Sequence, residues 1–197
     1  MSLTLIKQLP YSVSIAVWQI TETEDWLLGS LQLCPEDKAA ISRTKLPIVR
    51  LQKLACRAAL AQLLGTNKIE ITYSETGQPQ INNHHISFSH TKNSVAVALA
   101  NLPVGIDIEN LSPRILPLYP RFMSQKEIAD CNINSLKELY FYWCSKEAMY
   151  KWFAKKKLDF IEDLNVCKND NKGIICKKHI VQLTHFYIDD KIIVVCS

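Results

Sequence analysis

The sequence predicts an α+β protein of two similar α+β subdomains related by a pseudo-twofold, each a long helix packed on a mainly antiparallel sheet. Three observations predict it. Short runs alternate apolar and polar residues with the two-residue period of strands, as at Val13, Ile15 and Val17. Two longer stretches, 48–64 and 136–154, carry apolar residues at helical spacing. The order strand, short helix, long helix, strands occurs twice along the chain, which places the subdomains at 1–102 and 103–197 with a ligand site expected at the seam.

Element by element, the first half reads as a strand at 12–20, a short helix at 36–43 and a longer helix at 48–64. Gly65 stops that helix. Strands follow near 69–73, 85–89 and 94–100, with the Gly and Pro of "SETGQP" as a turn. Lys7, Gln8 and Pro10 interrupt the apolar run that precedes the first of these strands. After the short connection "NLP", the second half opens with a strand at 104–109 and a short helix at 124–131. The long helix at 136–154 starts at Ser135, where Glu138 three residues on predicts a capping box. Strands near 162–167, 173–176, 180–188 and 191–196 complete it, and "IDDKI" reads as a hairpin turn.

Composition narrows the function classes. The 197 residues are 48% hydrophobic and 21% charged, the balance of a chain that buries a core. A net charge of +4 is mild: it fits an acidic or phosphorylated partner and also fits an ordinary solvated surface. The seven cysteines form no close CxxC pair, which points to reduced thiols in a cytoplasmic protein and away from a disulfide framework or a zinc site. No secretory leader and no membrane-spanning apolar run is read, and neither a membrane nor a nucleic acid is expected as partner.

Three stretches carry chemistry. In "VGIDIE" (104–109), Gly105, Asp107 and Glu109 share one strand face, opposite Val104, Ile106 and Ile108. Two carboxylates on one face repel unless a metal ion, a basic side chain or water lies between them. In "WCSKEAMYK" (143–151), Glu147 and Lys151 are four apart on an aromatic-rich helix, either an exposed ion pair or a third carboxylate beside a lysine. Three carboxylates with a phosphate and water satisfy the oxygen-rich shell of Mg²⁺, and the lysine could neutralise a phosphate. In "ISFSHT" (86–91), Ser89 and His90 offer donors for phosphate oxygens, or simply form a polar turn.

Together with "RFMSQKEI" (121–128), these motifs resemble the 4′-phosphopantetheinyl transferases, most of all the larger two-subdomain kind that serves surfactin-type synthetases. The resemblance covers most of residues 35 to 160. It implies a magnesium-dependent enzyme (Mn²⁺ also serving) that transfers the phosphopantetheine arm of coenzyme A to a serine of an acidic acyl or peptidyl carrier protein, with release of adenosine 3′,5′-bisphosphate. It implies metal ligation by Asp107, Glu109 and Glu147, catalytic roles for Glu147 and Lys151, and contacts to the phosphates of coenzyme A from Arg50, Arg57, Ser89, His90 and Lys151. Glu147 and a metal-bound water are alternative bases. A monomer is expected, because both halves lie in one chain. The sequence departs from the family pattern at Gln78, at Asp37 and Ala40, and in the run Lys155–Lys157. Two other readings stand beside this one: a paralogue that binds carrier proteins without modifying them, and another Mg²⁺-dependent phosphate enzyme.

Overall fold

The computed structural model describes residues 3–73, 78–81, 84–154 and 157–197. The chain divides into two compact units, Met1–Leu102 and Pro103–Ser197. Each is α+β, with an eighteen-residue helix packed on an antiparallel sheet. No helix among the described residues is long and apolar enough to cross a membrane.

The first unit begins with β1 (Leu3–Leu9) and β2 (Val13–Gln19), an antiparallel hairpin turned by Tyr11 and Ser12, both at positive φ. The sequence showed no strand at β1 because Lys7 and Gln8 break the apolar pattern. As the edge of a six-stranded sheet, β1 leaves much of itself exposed and tolerates them. Next come α1 (Glu24–Ser30), β3 (Gln32–Leu33), α2 (Pro35–Ser42) and α3 (Pro47–Leu64). α1 was not foreseen; Thr23 caps it by accepting a hydrogen bond from the Trp26 N–H. α3 starts on Pro47 and ends at Gly65, whose φ of 67° is the left-handed conformation a helix stop needs.

The expected strand at 69–73 is two short strands that serve different partners. β4 (Lys68–Ile69) runs parallel to β3, and β5 (Thr72–Tyr73) pairs antiparallel with β6 (Pro79–Ile81). The turn read at "SETGQP" falls mostly outside the described residues. β7 (His84–His90) and β8 (Ser94–Ala100) complete a sheet ordered β1-β2-β8-β7-β6-β5. α3 lays Leu54, Ala55, Ala58 and Ala59 into a core with Trp18, Val95 and Val97. The alanines keep this face of the helix flat, so helix and sheet approach closely.

The second unit opens with β9 (Gly105–Asn110). Two single turns, Pro113–Ile115 and Tyr119–Arg121, lead to α4 (Gln125–Ala129) and α5 (Leu136–Phe153). β10 (Leu164–Cys167), β11 (Lys172–Ile175), β12 (His179–Ile188) and β13 (Lys191–Cys196) follow. The sheet order is β10-β11-β12-β13-β9, so the unit's first strand pairs with its last, Asp107 opposite Val194 and Glu109 opposite Ile192. The terminal hairpin turns at Asp189, φ 52°.

A capping box does occur, but on α4: Ser124 and Glu127 bond each other's backbone N–H. At α5 only half of the predicted box forms. Ser135 accepts from the Glu138 N–H, while the Glu138 carboxylate turns to Lys168 and the Asn132 N–H.

What positions the rest is the approach of α5 to β9. A Cβ built on Gly105 would overlap the backbone carbonyl of Ala148 and stand 2.8 Å from the Trp152 nitrogen. Those are backbone atoms of a helix and cannot move aside singly. Gly105→Ala is therefore expected to push α5 off the strand, at a cost of about 3 kcal/mol, the upper end of ordinary overpacking. A urea titration checks this; an unchanged midpoint would show that the contact is looser than the structure has it.

Candidate functional site

The second unit gathers its charged groups where α5 crosses β9. Gly105, Asp107 and Glu109 alternate onto the strand face turned to the helix, while Ile106 and Ile108 point away and are fully buried. On α5, Trp143, Glu147 and Lys151 follow one another at spacings of four and form a single half-buried stripe. Lys151 does not stay on its own helix. Its Nζ donates to Asp107 Oδ1 at 2.8 Å and to the Ile106 carbonyl at 2.9 Å. At the other end of the stripe, Trp143 Nε1 donates to Glu109 Oε1 at 3.3 Å.

Electrostatics reflect this crowding. Burial and then the Asp107 charge push Glu109 up to about 7, against the opposing pull of the Trp143 hydrogen bond and of Lys151. Burial and Asp107 also raise Glu147. A mainly apolar cavity of about 180 Å³ lies beside Glu109, walled by Ile115, Leu118, Phe122 and Trp143, with Arg114 also lining it. Cys144, fully buried next to Asp107, is held well above the ordinary thiol range by burial and the two carboxylates, so it stays a neutral thiol.

Asp107 lies beside two glutamates, Glu109 and Glu147, whose proton affinities burial and its own charge raise, and with no soft ligand in the stripe the three make a donor set suited to a hard divalent cation. They are not drawn into a finished cage: among the described residues, no three His, Cys, Asp or Glu side chains converge to hold a metal ion. The ammonium of Lys151 lies on Asp107 and the indole of Trp143 on Glu109 instead.

Behind this stripe, two sequence motifs prove to be one piece of structure. Phe122 of "RFMSQKEI" packs edge-on against Trp143 of "WCSKEAMYK", with centroids 5.1 Å apart. Glu127 of the first motif pairs at 2.7 Å with Lys146 of the second. The lysine is 0% exposed and the glutamate 3%. Glu127 also accepts from the N–H groups of Ser124 and Val166, and Lys146 donates to the Phe160 carbonyl. One buried pair thereby ties α4, α5, β10 and the segment before β10 together. The sequence reading passed over Lys146. The signal was its place on the wheel, four residues after Tyr142 and three before Met149, both fully buried.

In the first unit, the expected phosphate-binding residues are differently employed. Arg57 is 4% exposed; its Nε and Nη2 grip both oxygens of Asp37, and Nη2 also meets the Tyr73 hydroxyl. Its guanidinium is thus committed to an internal pair, because the acidic Asp37 faces it across the α2–α3 contact. Arg50 donates to Glu24 and to the carbonyls of Thr44 and Lys45. On β7, Ser89 is buried and His90 exposed. Gln52 Nε2 donates to the Thr91 carbonyl, which fixes the turn after His90. Lys155 and Lys156 lie outside the described residues.

Comparison with known proteins agrees with the motifs. Residues 103–196 match the 4′-phosphopantetheinyl transferase superfamily. The second unit belongs to that superfamily. Similar curated proteins include the 4′-phosphopantetheinyl transferase ffp of Bacillus subtilis, 33% identical over 108 residues, which are 50% of this chain and 48% of the relative. The 4′-phosphopantetheinyl transferase gsp of Aneurinibacillus migulanus is 28% identical over 139 residues, 66% of this chain and 57% of the relative. The 4′-phosphopantetheinyl transferase psf-1 of Bacillus pumilus is 38% identical over 80 residues, 39% and 34% respectively. The chain spans about half the length of the curated relatives it matches.

In the second unit, breaking the buried pair leaves a charge without its partner. Lys146→Met is expected to destabilise the protein by about 3 kcal/mol or more. The double variant Lys146→Met/Glu127→Gln should lose less than the two single losses added together. Denaturant unfolding of the four proteins measures the coupling; strict additivity would deny the pair its structural role.

Proposed function

We propose that this protein transfers the 4′-phosphopantetheine arm of coenzyme A to a serine of an acidic acyl or peptidyl carrier protein and releases adenosine 3′,5′-bisphosphate. The observation that carries this reading is the gathering of Asp107, Glu109, Glu147 and Lys151 where α5 crosses β9, in the unit that matches the superfamily. The relatives' names supply the reaction class.

Asp107, Glu109 and Glu147 would hold Mg²⁺, or Mn²⁺, and the ion when bound neutralises charge on the pyrophosphate. The chain's own residues do the rest. The serine oxygen forms a bond to the phosphorus that carries the pantetheine arm, and the bond from that phosphorus to the bridging oxygen breaks. Glu147, its proton affinity already raised by burial, is the side chain placed to take the serine proton. Lys151 leaves Asp107 and meets the negative charge on the departing phosphate, a move open to it because its side chain is 28% exposed. Ser89 and His90 take the remaining nucleotide phosphates. Arg50 and Arg57 brace their own helices and meet the nucleotide only if Glu24 and Asp37 release them. The +4 charge steers an acidic carrier towards a monomeric, cytoplasmic enzyme.

Intact-mass measurement of an apo carrier protein incubated with the protein, coenzyme A and Mg²⁺ tests this. The expected result is a gain of one phosphopantetheine arm that needs the carrier serine and disappears with EDTA. Asp107→Asn and Glu147→Gln should each lower the rate by about 10²-fold or more while the folded state persists. No gain with several unrelated carriers, from protein that folds and binds those carriers, would favour the binding-only paralogue.

A further inference from the structure

Trp143 is the residue on the helical stripe whose contact has no part in the chemistry proposed above. Its indole N–H meets Glu109 Oε1 at 3.3 Å, and its ring is held on two sides, edge-on by Phe122 at 5.1 Å and by Phe160 at 5.7 Å. Phe160 is in turn fixed through its backbone carbonyl by the buried Lys146, and the Lys146 partner Glu127 closes the cap of α4. The indole therefore has little freedom, and the carboxylate it bonds has a set direction. The N–H of a partly buried indole takes an acceptor, and here that acceptor is a carboxylate on the neighbouring strand, one of the three proposed to hold the ion.

We propose that Trp143 is a positioning residue for Glu109: its indole N–H, clamped between Phe122 and Phe160, aims the Glu109 carboxylate at the divalent ion. This rests on the metal reading of Asp107, Glu109 and Glu147 given above. Groups that hydrogen-bond metal-ligating carboxylates fix their orientation, and loss of such a partner typically weakens metal binding by about 10- to 100-fold. Phe122 and Glu127 of one motif and Trp143 and Lys146 of the other then have a shared purpose, since together they hold one donor against one carboxylate.

Trp143→Phe keeps an aromatic ring beside Phe122 and Phe160 and removes the N–H together with one ring of the indole. Binding of Mn²⁺, read from the paramagnetic resonance of the free ion, is expected to weaken about tenfold in this variant. Its melting temperature and, at saturating metal, its KM for coenzyme A should stay close to those of the parent, which a merely structural role would not predict. A second measurement needs no variant. With nitrogen-15 indole labelling and through-bond assignment, Mg²⁺ should shift the Trp143 resonance of the parent protein and leave that of Trp26, which lies in the other unit, in place. Equal Mn²⁺ affinity in parent and variant, or an unmoved Trp143 resonance in protein that binds Mg²⁺, overturns the assignment and leaves the metal reading intact. Absence of Mn²⁺ binding by the parent at millimolar ion overturns both.

Discussion

Everything the second unit offers to chemistry depends on how closely α5 lies on β9. Gly105 permits the contact, because no side chain stands between the strand and the backbone of Ala148 and Trp152. From that crossing the rest follows by geometry. Two residues along the strand is Asp107, within reach of Lys151; two further is Glu109, within reach of Trp143. A helix held farther off would leave Asp107 and Glu109 as a repelling pair at a strand edge. The short approach is what converts an unfavourable sequence feature into a site.

The close contact places the helix but does not by itself fix its rotation. That falls to the polar and aromatic ties on its other side. Lys146 follows Ser145 and precedes Glu147, so one residue faces the buried Glu127 while its neighbour faces the carboxylates. A small turn of α5 would break the buried pair before it moved Glu147 far, and a broken buried pair is costly. The same tie reaches the Phe160 carbonyl, and the Phe160 ring touches both Trp143 and Tyr150. Orientation of the site is thus enforced from a region that has no chemistry of its own.

Much of this was legible in the residues, and the parts that were not share a cause. The long helices, their stops and the shared face of Asp107 and Glu109 follow from local periodicity and from Gly65. β1 was hidden because an edge strand need not alternate, and α1 because seven residues carry too little period to read. The split between β4 and β5 depends on which partners the chain meets, which no window of sequence contains. For the site, residue types and strand face were readable, whereas pairings were not. From sequence, Lys151 reads either as the ion-pair partner of Glu147 four residues away or as a phosphate ligand, and its bond to Asp107, forty-four positions distant, is in neither reading. Likewise Arg57, a basic residue on a helix suited to phosphates, is committed to an aspartate that only folding brings opposite it.

Among the described residues, burial sorts three ion pairs with a buried carboxylate by what they can do. Arg57–Asp37 and Lys146–Glu127 have both side chains at 5% exposure or less, so neither partner can exchange its counter-ion for a ligand without a large desolvation cost. They are fixtures of the fold. In Lys151–Asp107 the carboxylate is buried but the lysine side chain is 28% exposed. A half-exposed ammonium can leave for water or for a phosphate at modest cost, because its charge is never stranded in an apolar surround. The carboxylate it leaves has Glu109 and Glu147 close enough for their charges to be felt, and so gains most from a replacement cation. The half-exposed lysine and the buried carboxylate make this the one pair of the three that could rearrange on ligand binding at modest cost, and it lies on the stripe proposed above for the chemistry.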